Sequence, residues 1–550
     1  MIKKLRFIEA GAVNRYQKTW KNHFLYNGSI CNPSTGLITL ATIAKQQVDD
    51  TLMYSEAISE ICWSDIEDAC IVFISVNTFN ATRGYEIARR IRNIPAAAPG
   101  ASLDAVSTTT TSSRPLVVLG GMHATLNYTE AVRYADYVLL GDGDESIVEF
   151  IDALQKLNSE CMPLPVDGVW VKEGAPSQMP LQIPGLAYLS QGDEGEVEVT
   201  RTEERPQPLN IETIPNRALV CEYAEKAKKY NTLWPQVHAS RGCTGTCDYC
   251  CVIAHFGRKV RTRSPEAVVE DIRQAVAFHS QSFPPRLNRA VWLTDDNFAL
   301  DRQWAKSVLR AIIESDINSP ITVQARWELG FDDEMLSLMK QANFFEISLG
   351  IEFIDDASFV RYHKRCTRER IEKAIANIQA HGIGVRGLFI MGSDEDTPGV
   401  GERLGQFIID NKIHGCLIQS MFFVPGTPVY EQNKHKLLHQ IWERYNGSVV
   451  HVPRNMSPAE LQQEMIDASR KAYSLRRLLY SLIHTKGIFK ILAIGETVWH
   501  VHLRHMWKKE LPLLHEYGYY YSQVKTKRSF TNPLADTEWT MPYNQERSLA

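Results

Sequence analysis

The first third of the chain alternates short, wholly apolar runs with longer amphipathic stretches. One amphipathic stretch is Gly36–Gln47, and the apolar runs after it are Ala69–Val76, Pro115–Gly121 and Ala135–Glu145. Continuous apolar runs rich in β-branched residues, set between helical segments, are typical of a parallel sheet that is buried on both faces. The pattern therefore predicts an α/β fold that starts with a Rossmann-like, flavodoxin-like open sheet.

A second series of apolar runs, again separated by helical patterns, follows in the middle of the chain. These runs are Trp234–Ser240, Arg289–Thr294, Ile321–Trp327, Phe344–Gly350, Gly384–Met391 and Gly415–Phe423. Six strands with intervening helices predict a partial (β/α)6 barrel of the TIM type. Chemistry in such barrels lies at the carboxyl ends of the strands.

These patterns divide the chain into four expected parts. Residues 1–165 form the first α/β domain, in which 94–115 are a low-complexity surface loop rich in Ala, Ser, Thr and Pro. Residues 166–228 are a connector, residues 229–430 are the barrel, and residues 431–550 are a mostly helical C-terminal extension.

Composition narrows the class of protein. The chain has 550 residues, 44% of them hydrophobic and 23% charged, and a formal net charge of −4, so nothing in its charge favours a nucleic-acid partner. The most apolar window, Gly487–Trp507, contains Lys490, Glu496 and three histidines, so we expect no transmembrane segment. Cysteines scattered singly through apolar runs indicate reduced thiols, and we expect a cytoplasmic location.

Four cysteines and a histidine cluster in the stretch SRGCTGTCDYCCVIAHFGRK, which is Ser240–Lys259. A structural zinc ion needs four protein ligands, and the zinc-knuckle position after His255 is occupied by Val260. A redox pair of Cys247 and Cys250 leaves Cys243 unexplained. Three thiolates on a loop suit a four-iron cluster with one open iron, although spacing alone leaves zinc open.

Glycines end the apolar runs of the first domain. Gly120, Gly121, Gly141 and Gly143 lie where parallel strands should finish, and ligands of open α/β sheets bind at that edge. Each glycine alone is explained by a tight turn, but together they favour a ligand site. Neither the dinucleotide-binding nor the P-loop glycine motif occurs in the chain.

The sequence RGCTGTCDYC resembles the cluster motif of the radical S-adenosylmethionine (SAM) superfamily. The segments VWLTDDNF, ISLGIEF, GVRGLFIMGSDEDT and FVPGTPVY support the resemblance over Trp234–Tyr430. It implies that Cys243, Cys247 and Cys250 hold a 4Fe–4S cluster, while Cys251 and His255 are bystanders. In that family the open iron binds the amino and carboxylate groups of SAM, and reduction cleaves SAM to a 5′-deoxyadenosyl radical.

The same resemblance suggests residues that contact SAM. Acceptors for the ammonium group are expected in the run Asp295, Asp296 and Asn297, whose alternative role is a helix cap. Ser348 and Glu352 are candidates for the ribose hydroxyls, or else a polar pair at a strand end. Gln324 and Arg326 point to the barrel mouth, where Arg326 pairs with the SAM carboxylate or with a surface acid. Gly392 and Asp394 lie at the end of a strand, beside the expected adenine pocket. A plain turn is the alternative explanation of both residues.

The first domain resembles, over about residues 30–155, the cobalamin-binding domain that precedes the barrel in one radical SAM subgroup. The segments NPSTGLITLATIAK, VVLGGMHAT and YVLLGDGDES carry this resemblance. It suggests Gly120, Gly121, His123, Gly141 and Gly143 as cobalamin contacts. The chain lacks the Asp-x-His-x-x-Gly signature, so we expect no protein histidine as lower cobalt ligand. Taken alone, His123 is better explained as a satisfied loop histidine than as a corrin contact.

Together the resemblances imply a radical SAM enzyme, with cobalamin-dependent C-methylation of an unactivated carbon as the leading function. No catalytic residue beyond the cluster ligands is assigned. One alternative is a radical SAM rearrangement, cyclisation or redox enzyme whose first domain does not methylate or lacks cobalamin; another is a non-catalytic, zinc-stabilised cobalamin sensor. Expected partners are a small-molecule, lipid or peptide substrate and an external electron donor such as flavodoxin or ferredoxin.

Overall fold

Two mainly parallel sheets organise the chain, one in its first part and one in its second. The computed structural model describes residues 2–11, 32–94, 114–156, 181–191, 196–229, 234–280, 290–485 and 488–526. The expected loop at 94–115 lies mostly outside the described residues.

The first sheet has the strand order β2-β1-β3-β4-β5-β6-β7. Its strands are β1 (Lys4–Glu9), β2 (Asp50–Ser55), β3 (Ile71–Ser75), β4 (Leu116–Gly120), β5 (Tyr137–Leu139), β6 (Leu186–Gln191) and β7 (Val197–Arg201). The first five are parallel and have the order 2-1-3-4-5 of flavodoxin-like sheets, while β6 and β7 extend the edge in antiparallel fashion. The expected connector thus contributes its two strands to the first sheet.

Helices cover both faces of this sheet and explain its apolar strands. They are α1 (Thr35–Lys45), α2 (Trp63–Glu67), α3 (Ala81–Arg92), α4 (Met122–Leu126), α5 (Tyr128–Ala131) and α6 (Asp144–Lys156). Successive residues of β3 enter different cores: Phe73 packs with Phe150 of α6, and Ile74 belongs to the other core, which also contains Ile87 of α3. Both faces are therefore buried, as the continuous apolar runs predicted.

Neither β1 nor β2 follows from the apolar pattern, because charged residues interrupt the first segment and polar residues flank the short apolar core of the second. Arg6, in the middle of β1, is buried. Its Nε donates to Oδ2 of Asp65 at 2.5 Å, and its Nη1 lies 2.8 Å from Oδ1 of Asp50. A strand tolerates a cation inside the fold when the cation is paired in this way.

The second sheet is fully parallel and has the order β15-β14-β13-β12-β11-β8. Its strands are β8 (Gln236–Val237), β11 (Val291–Leu293), β12 (Ile321–Arg326), β13 (Phe344–Glu352), β14 (Gly384–Met391) and β15 (Gly415–Ser420), and the short pair β9 (Ser240–Arg241) and β10 (Arg261–Thr262) lies outside it. The intervening helices are α7 (Tyr223–Lys229), α8 (Cys251–Phe256), α9 (Pro265–Ser280), α10 (Arg302–Glu314), α11 (Asp333–Gln341), α12 (Asp356–Arg361), α13 (Arg368–Ala380) and α14 (Val400–Asp410). The predicted partial (β/α)6 barrel is confirmed.

The C-terminal region is helical, as predicted, and contains one helix that the sequence pattern did not indicate. Its helices are α15 (Pro428–Asn433), α16 (Pro458–Ala472), α17 (Leu475–His484) and α18 (Ile488–Thr526). Helix α18 packs against α16 and β15, and Trp507 is buried at this contact. In the described part of the chain, no helix is long and apolar enough to cross a membrane.

An ionic cluster fixes α18 near the amino ends of the barrel strands. Oε1 of Glu346 on β13 accepts a hydrogen bond from Nε of Arg386 on β14 at 3.0 Å, and its Oε2 lies 2.6 Å from Nε2 of His414. Nη1 of Arg386 also lies 2.6 Å from Oε1 of Glu496 on α18. The cluster therefore joins two strands and the C-terminal helix at the end opposite the strand carboxyl ends.

Replacing Glu346 with glutamine should lower the free energy of unfolding by about 3 kcal/mol near neutral pH, because Arg386 loses a buried charged partner. Burial acts to raise the pKa of Glu346, but Arg386 and His414 outweigh it and lower the pKa from 4.5 to about 2. The carboxylate therefore stabilises the fold above pH 4.5 and loses this effect as the pH falls towards 2.

Urea unfolding of wild type and Glu346→Gln over that pH range measures the effect. The difference between the two proteins should shrink as the pH falls, and a difference that stays constant would contradict this account. Glu369→Gln is the matched control, because Glu369 lies on an exposed helix face with Lys373 and should leave unfolding unchanged.

Candidate functional site

The clustered cysteines lie on one loop that follows the first barrel strand. The antiparallel pair of β9 and β10 closes residues 242–260 into this loop, and α8 begins at Cys251 inside it. Gly242 opens the loop at φ +92°, and a Cβ there would lie 2.5 Å from the carbonyl oxygen of Lys259. Only glycine fits this position, so the backbone conformation at the first residue of the loop is fixed.

Contacts with the barrel hold the outer side of the same loop. Thr246 Oγ1 donates to the carbonyl of His363 at 3.1 Å, and Nδ1 of His363 lies 2.9 Å from Oδ2 of Asp248. The amide of Val429, in α15, donates to the carbonyl of Asp248 at 3.2 Å. The loop is therefore held in place by the barrel and by the segment that follows it.

The thiols of Cys243, Cys247, Cys250 and Cys251 are free and partly exposed. Burial raises the pKa of Cys250 above its ordinary value, and burial raises the pKa of Cys251 to about 11. These two thiols are protonated at neutral pH and must lose protons if they bind metal. No three His, Cys, Asp or Glu side chains of the described residues already surround one point as the ligands of a single ion do.

The Asp295-Asp296-Asn297 run ties the cysteine loop to the neighbouring strands. Asp295 is buried and accepts a hydrogen bond from Ser240 Oγ at 2.5 Å. Asp296 Oδ2 accepts from the amide of Gly242 at 3.0 Å, and Asn297 Oδ1 accepts from the amide of Arg326 at 3.2 Å. None of the three caps the following helix. That role belongs to Asp301, which accepts from the amide of Trp304.

Arg326, at the end of β12, lies directly beside the cysteine loop. Its Nη1 is 3.1 Å from the position of a Cβ added to Gly245, and its guanidinium pairs with Glu328 at 2.9 Å. Burial acts to lower the pKa of Arg326, but Glu328 and the nearby Cys247 and Cys243 raise it. The expected ion pair with an acid is present, and the cation also faces the thiols.

Gln324 and Ser348 lie side by side on adjacent strands, and Glu352 lies at the end of the second of these strands. Gln324 of β12 is in register with Ser348 of β13. Glu352 ends β13 at φ +69°, and its Oε1 lies 3.4 Å from Nζ of Lys364, which also donates to the carbonyl of Gly350 at 2.7 Å. The buried Lys364 is a partner that the sequence pattern did not indicate.

Gly392 lies beneath the C-terminal extension. It has φ +96°, its carbonyl is 3.1 Å from Nε2 of His451, and a Cβ on it would be 2.7 Å from Leu461. Asp394 pairs with Lys436 at 3.1 Å. The extension therefore closes the end of β14, a contact that links residues far apart along the chain.

The glycines suggested for cobalamin lie together at the carboxyl edge of the first sheet. Gly121 has φ +94°, and a Cβ on it would be 2.8 Å from the carbonyl of Val76. Gly141 has φ +74° with open space where a Cβ would be, and Gly120 has no atom closer than 3.8 Å to that position. A Cβ on Gly143 would lie 2.9 Å from Leu40. Gly141 thus leaves room for a ligand, and Gly121 and Gly143 allow close packing.

His123 lies in α4 and is fully buried, so it is not on an open loop. Its Nδ1 is 3.3 Å from Thr78 Oγ1, and its ring contacts Trp442 of the C-terminal extension at 4.9 Å between centroids. Burial lowers the pKa of His123 to about 4, so the ring is neutral. Its Nε2 has no hydrogen-bond partner among the described residues.

An ionic junction joins the edge of the first sheet to the start of the cysteine loop. Nη1 of Arg241, on β9, donates to Oδ1 of Asp142 at 3.1 Å and to Oδ2 of Asp144 at 2.7 Å. Arg261, on β10, donates to the other oxygen of Asp142. All four side chains are nearly buried, with 2–11% of their surface exposed. We call these four residues the domain junction.

The helix inside the cysteine loop adds to this contact. Helix α8 packs against α4, the helix that carries His123. His255 of α8 is partly exposed, and its desolvation together with the nearby arginines lowers its pKa to about 4. The strand-end loop of the first sheet and the cysteine loop therefore meet directly.

Comparisons with known proteins agree with this architecture. Residues 237–403 match the family model of the Radical SAM superfamily. The chain is 21% identical over 455 residues to bacteriochlorophyllide d C-12(1)-methyltransferase of Chlorobaculum tepidum, with 81% of this chain and 84% of that protein covered.

Two solved structures share the fold. The radical SAM methyltransferase TsrM from Kitasatospora setae, with cobalamin and a 4Fe–4S cluster bound, has a TM-score of 0.56 and 15% identity, and the match covers 78% of this chain and 75% of TsrM. The cobalamin-dependent SAM radical enzyme OxsB, with aqua-cobalamin and SAM bound, has a TM-score of 0.61 and 13% identity, with 97% of this chain and 82% of OxsB covered.

A doubly wound sheet followed by a partial barrel that carries CxxxCxxC after its first strand defines a radical SAM domain with an N-terminal α/β domain. The chain carries a Radical SAM superfamily domain over residues 237–403 and is an enzyme. The family predicted from the cysteine motif and the barrel pattern is confirmed.

The domain junction should behave as one energetic unit. Asp142→Asn and Arg241→Gln should each lower the free energy of unfolding by about 3 kcal/mol, because each leaves a buried charge without its partner. In the double variant the two losses should fall short of additivity by about 1–3 kcal/mol. Urea unfolding measures this, and strictly additive losses would show that the contact carries no coupling.

The buried carboxyl of Asp295 should make stability depend on pH. Burial raises its pKa from 3.8 to about 7, so between these values the unfolded chain releases a proton that the folded chain keeps. Wild type should therefore lose stability relative to Asp295→Asn as the pH rises through this range. Thermal unfolding of both proteins at several pH values tests it, and a pH-independent difference would contradict the raised pKa.

Proposed function

We propose that this chain is a cobalamin-dependent radical SAM methyltransferase that acts on an unactivated carbon. The domain junction carries the proposal, because it holds the glycine-rich edge of the first sheet against the start of the cysteine loop. A methyl carrier bound at the glycine-rich edge and a radical source bound at the cysteine loop would share one site. The similarity to a methyltransferase and to two cobalamin-dependent enzymes supports it.

In this proposal Cys243, Cys247 and Cys250 hold a 4Fe–4S cluster, and the donor set fits. Three free thiols on a loop of fixed start leave the fourth iron open for SAM. The nearby cation of Arg326 offsets the negative charge of the thiolates. Cys251 follows Cys250 directly, begins α8 and is not a ligand.

The same geometry supports the proposed contacts with SAM. Arg326 faces the loop and is suited to bind the SAM carboxylate. On SAM binding, its ion pair with Glu328 would be replaced by one with that carboxylate. Asp295, Asp296 and Asn297 surround the start of the loop and would receive the ammonium group. Gln324 and Ser348, adjacent in register, and Glu352 at the strand end would bind the ribose. Gly392, together with the C-terminal extension that packs against it, would line the adenine site.

The first sheet fits cobalamin at its carboxyl edge. Gly141 is open where a side chain would otherwise lie, and the buried Nε2 of His123 lacks a partner. We propose that Gly120, Gly121, His123, Gly141 and Gly143 line this edge. Because the sequence lacks the cobalt-binding signature, we would expect no histidine of the chain to bind the cobalt.

When bound, the cluster would supply the electron that cleaves SAM, and cobalamin would carry the methyl group. The chain positions them and excludes water. Trp442 covers the edge of the first sheet, and its Nε1 donates to Oε1 of Glu130 at 2.8 Å. A small organic molecule, a lipid or a peptide is the proposed substrate, and an external flavodoxin or ferredoxin is the proposed electron donor.

Anaerobic reconstitution with iron, sulfide and cobalamin tests the cluster assignment. Wild type given SAM and reductant should release 5′-deoxyadenosine, detected by mass spectrometry, and Cys243→Ala, Cys247→Ala and Cys250→Ala should each abolish the release. Cys251→Ala is the control on the same loop and should keep both iron content and product. Release of 5′-deoxyadenosine by any of the three ligand variants would refute the assignment.

Methyl transfer can be tested without knowing the substrate. With reductant and SAM labelled in its methyl group, the label should appear on the bound corrin of wild type and S-adenosylhomocysteine should be released, as followed by absorption and mass spectrometry. Filling the open position with Gly141→Val should reduce corrin retention while leaving the cluster intact. A protein that shows no corrin absorption yet releases 5′-deoxyadenosine would instead support a radical SAM enzyme with a cobalamin-free first domain.

A further inference from the structure

The C-terminal helices α17 and α18 expose an unusually concentrated set of apolar side chains. Seven of the sixteen large apolar side chains that are exposed among the described residues lie in residues 475–501. They are Leu475, Leu479, Tyr480 and Ile483 on α17, and Ile494, Val498 and Val501 on α18, with 39–76% of their surface exposed. We call these seven residues the C-terminal apolar face.

Their spacing places them in one stripe on each helix. Leu475, Leu479 and Ile483 follow each other at four-residue intervals, and Ile494, Val498 and Val501 at intervals of four and three. The other side of α18 carries Trp507 and is buried in the core. The stripes are thus a second apolar surface that the fold does not use, and clustered apolar surface of this kind marks a contact site.

The charge around these stripes is almost entirely basic. Among the described side chains of α17 and α18, the exposed charged residues are the cations Arg476, Lys490, Lys508 and Lys509, against the anion Glu516 alone, and His505 and His515 are also exposed. The whole chain has a net charge of −4, so the basic character is local. On α18, Lys490 precedes the stripe and Lys508 follows it. Apolar stripes bordered by basic residues are typical of helices that lie on anionic membranes.

This charge pattern also selects between occupants of the face. A second copy of the chain, packed with the same face around a two-fold axis, would bring the two basic borders together, and like charges at an interface oppose association. An anionic bilayer offers both the apolar interior for the stripes and negative headgroups for the border.

We propose that the C-terminal apolar face docks onto the surface of an anionic lipid bilayer, without spanning it. The contact places α17 and α18 in the headgroup region, and the described helices contain no candidate membrane span. The proposal concerns a surface on the C-terminal helices and is independent of the methyl-transfer proposal.

Vesicle flotation of the reconstituted full-length protein tests the docking. The protein should float with vesicles of phosphatidylcholine and phosphatidylglycerol and stay at the bottom with phosphatidylcholine alone. Leu479→Ser combined with Ile483→Ser should lower the bound fraction about tenfold or more, because apolar burial is lost. Lys508→Gln combined with Lys509→Gln should lower partitioning about thirtyfold at low salt, because two cations near the surface are removed.

Val360→Ser is the matched control, since Val360 is 77% exposed on α12 and is not part of the C-terminal apolar face. It should bind vesicles as wild type does. If the double variant Leu479→Ser and Ile483→Ser fails to fold, as seen by circular dichroism, the double variant of the exposed Lys508 and Lys509 still tests the docking. The proposal is overturned if wild type fails to float with anionic vesicles or binds neutral ones equally well. It is also overturned if light scattering shows a dimer that the serine pair dissociates.

Discussion

The arrangement of the molecule depends on the buried ionic contact between Asp142 and Asp144 of the first sheet and Arg241 and Arg261 of the second part. Charges removed from water are costly, and removing one partner leaves the others unpaired in the interior. Burial acts to lower the pKa of Arg241, but the two carboxylates raise it, so the arginine stays charged. These side chains therefore hold the two parts of the chain in one relative position.

Because Arg241 directly precedes the cysteine loop, this constraint extends to the chemistry. The loop starts at Gly242, whose amide is held by Asp296, and runs past Arg326 to α8, which packs on the helix of His123. The carboxyl ends of both sheets thus converge on one region, while the Glu346–Arg386–Glu496 cluster secures the opposite ends of the barrel strands. This division between a functional and a stabilising end is common to β/α barrels.

Much of the fold was predictable, because two sheets buried on both faces leave continuous apolar runs in the sequence. The cysteine motif was predictable because its thiols are close along the chain. The strand β1 was not, because Arg6 breaks its pattern and is paired only in three dimensions. The domain junction joins Asp142 and Arg241 across 99 positions, and the Lys364 partner of Glu352 depends on the packing of a turn. The burial of His123 arises from a C-terminal segment far away in the sequence.

The most direct measurement of the central claim is an anaerobic crystal structure of the reconstituted protein with cobalamin and SAM. Our account predicts a four-iron cluster on Cys243, Cys247 and Cys250 with SAM on its open iron. The corrin should lie along the Gly120–Gly141 edge and face the cluster, with the domain junction intact. A single zinc ion on the cysteine loop, or a corrin bound away from that edge, would contradict the account.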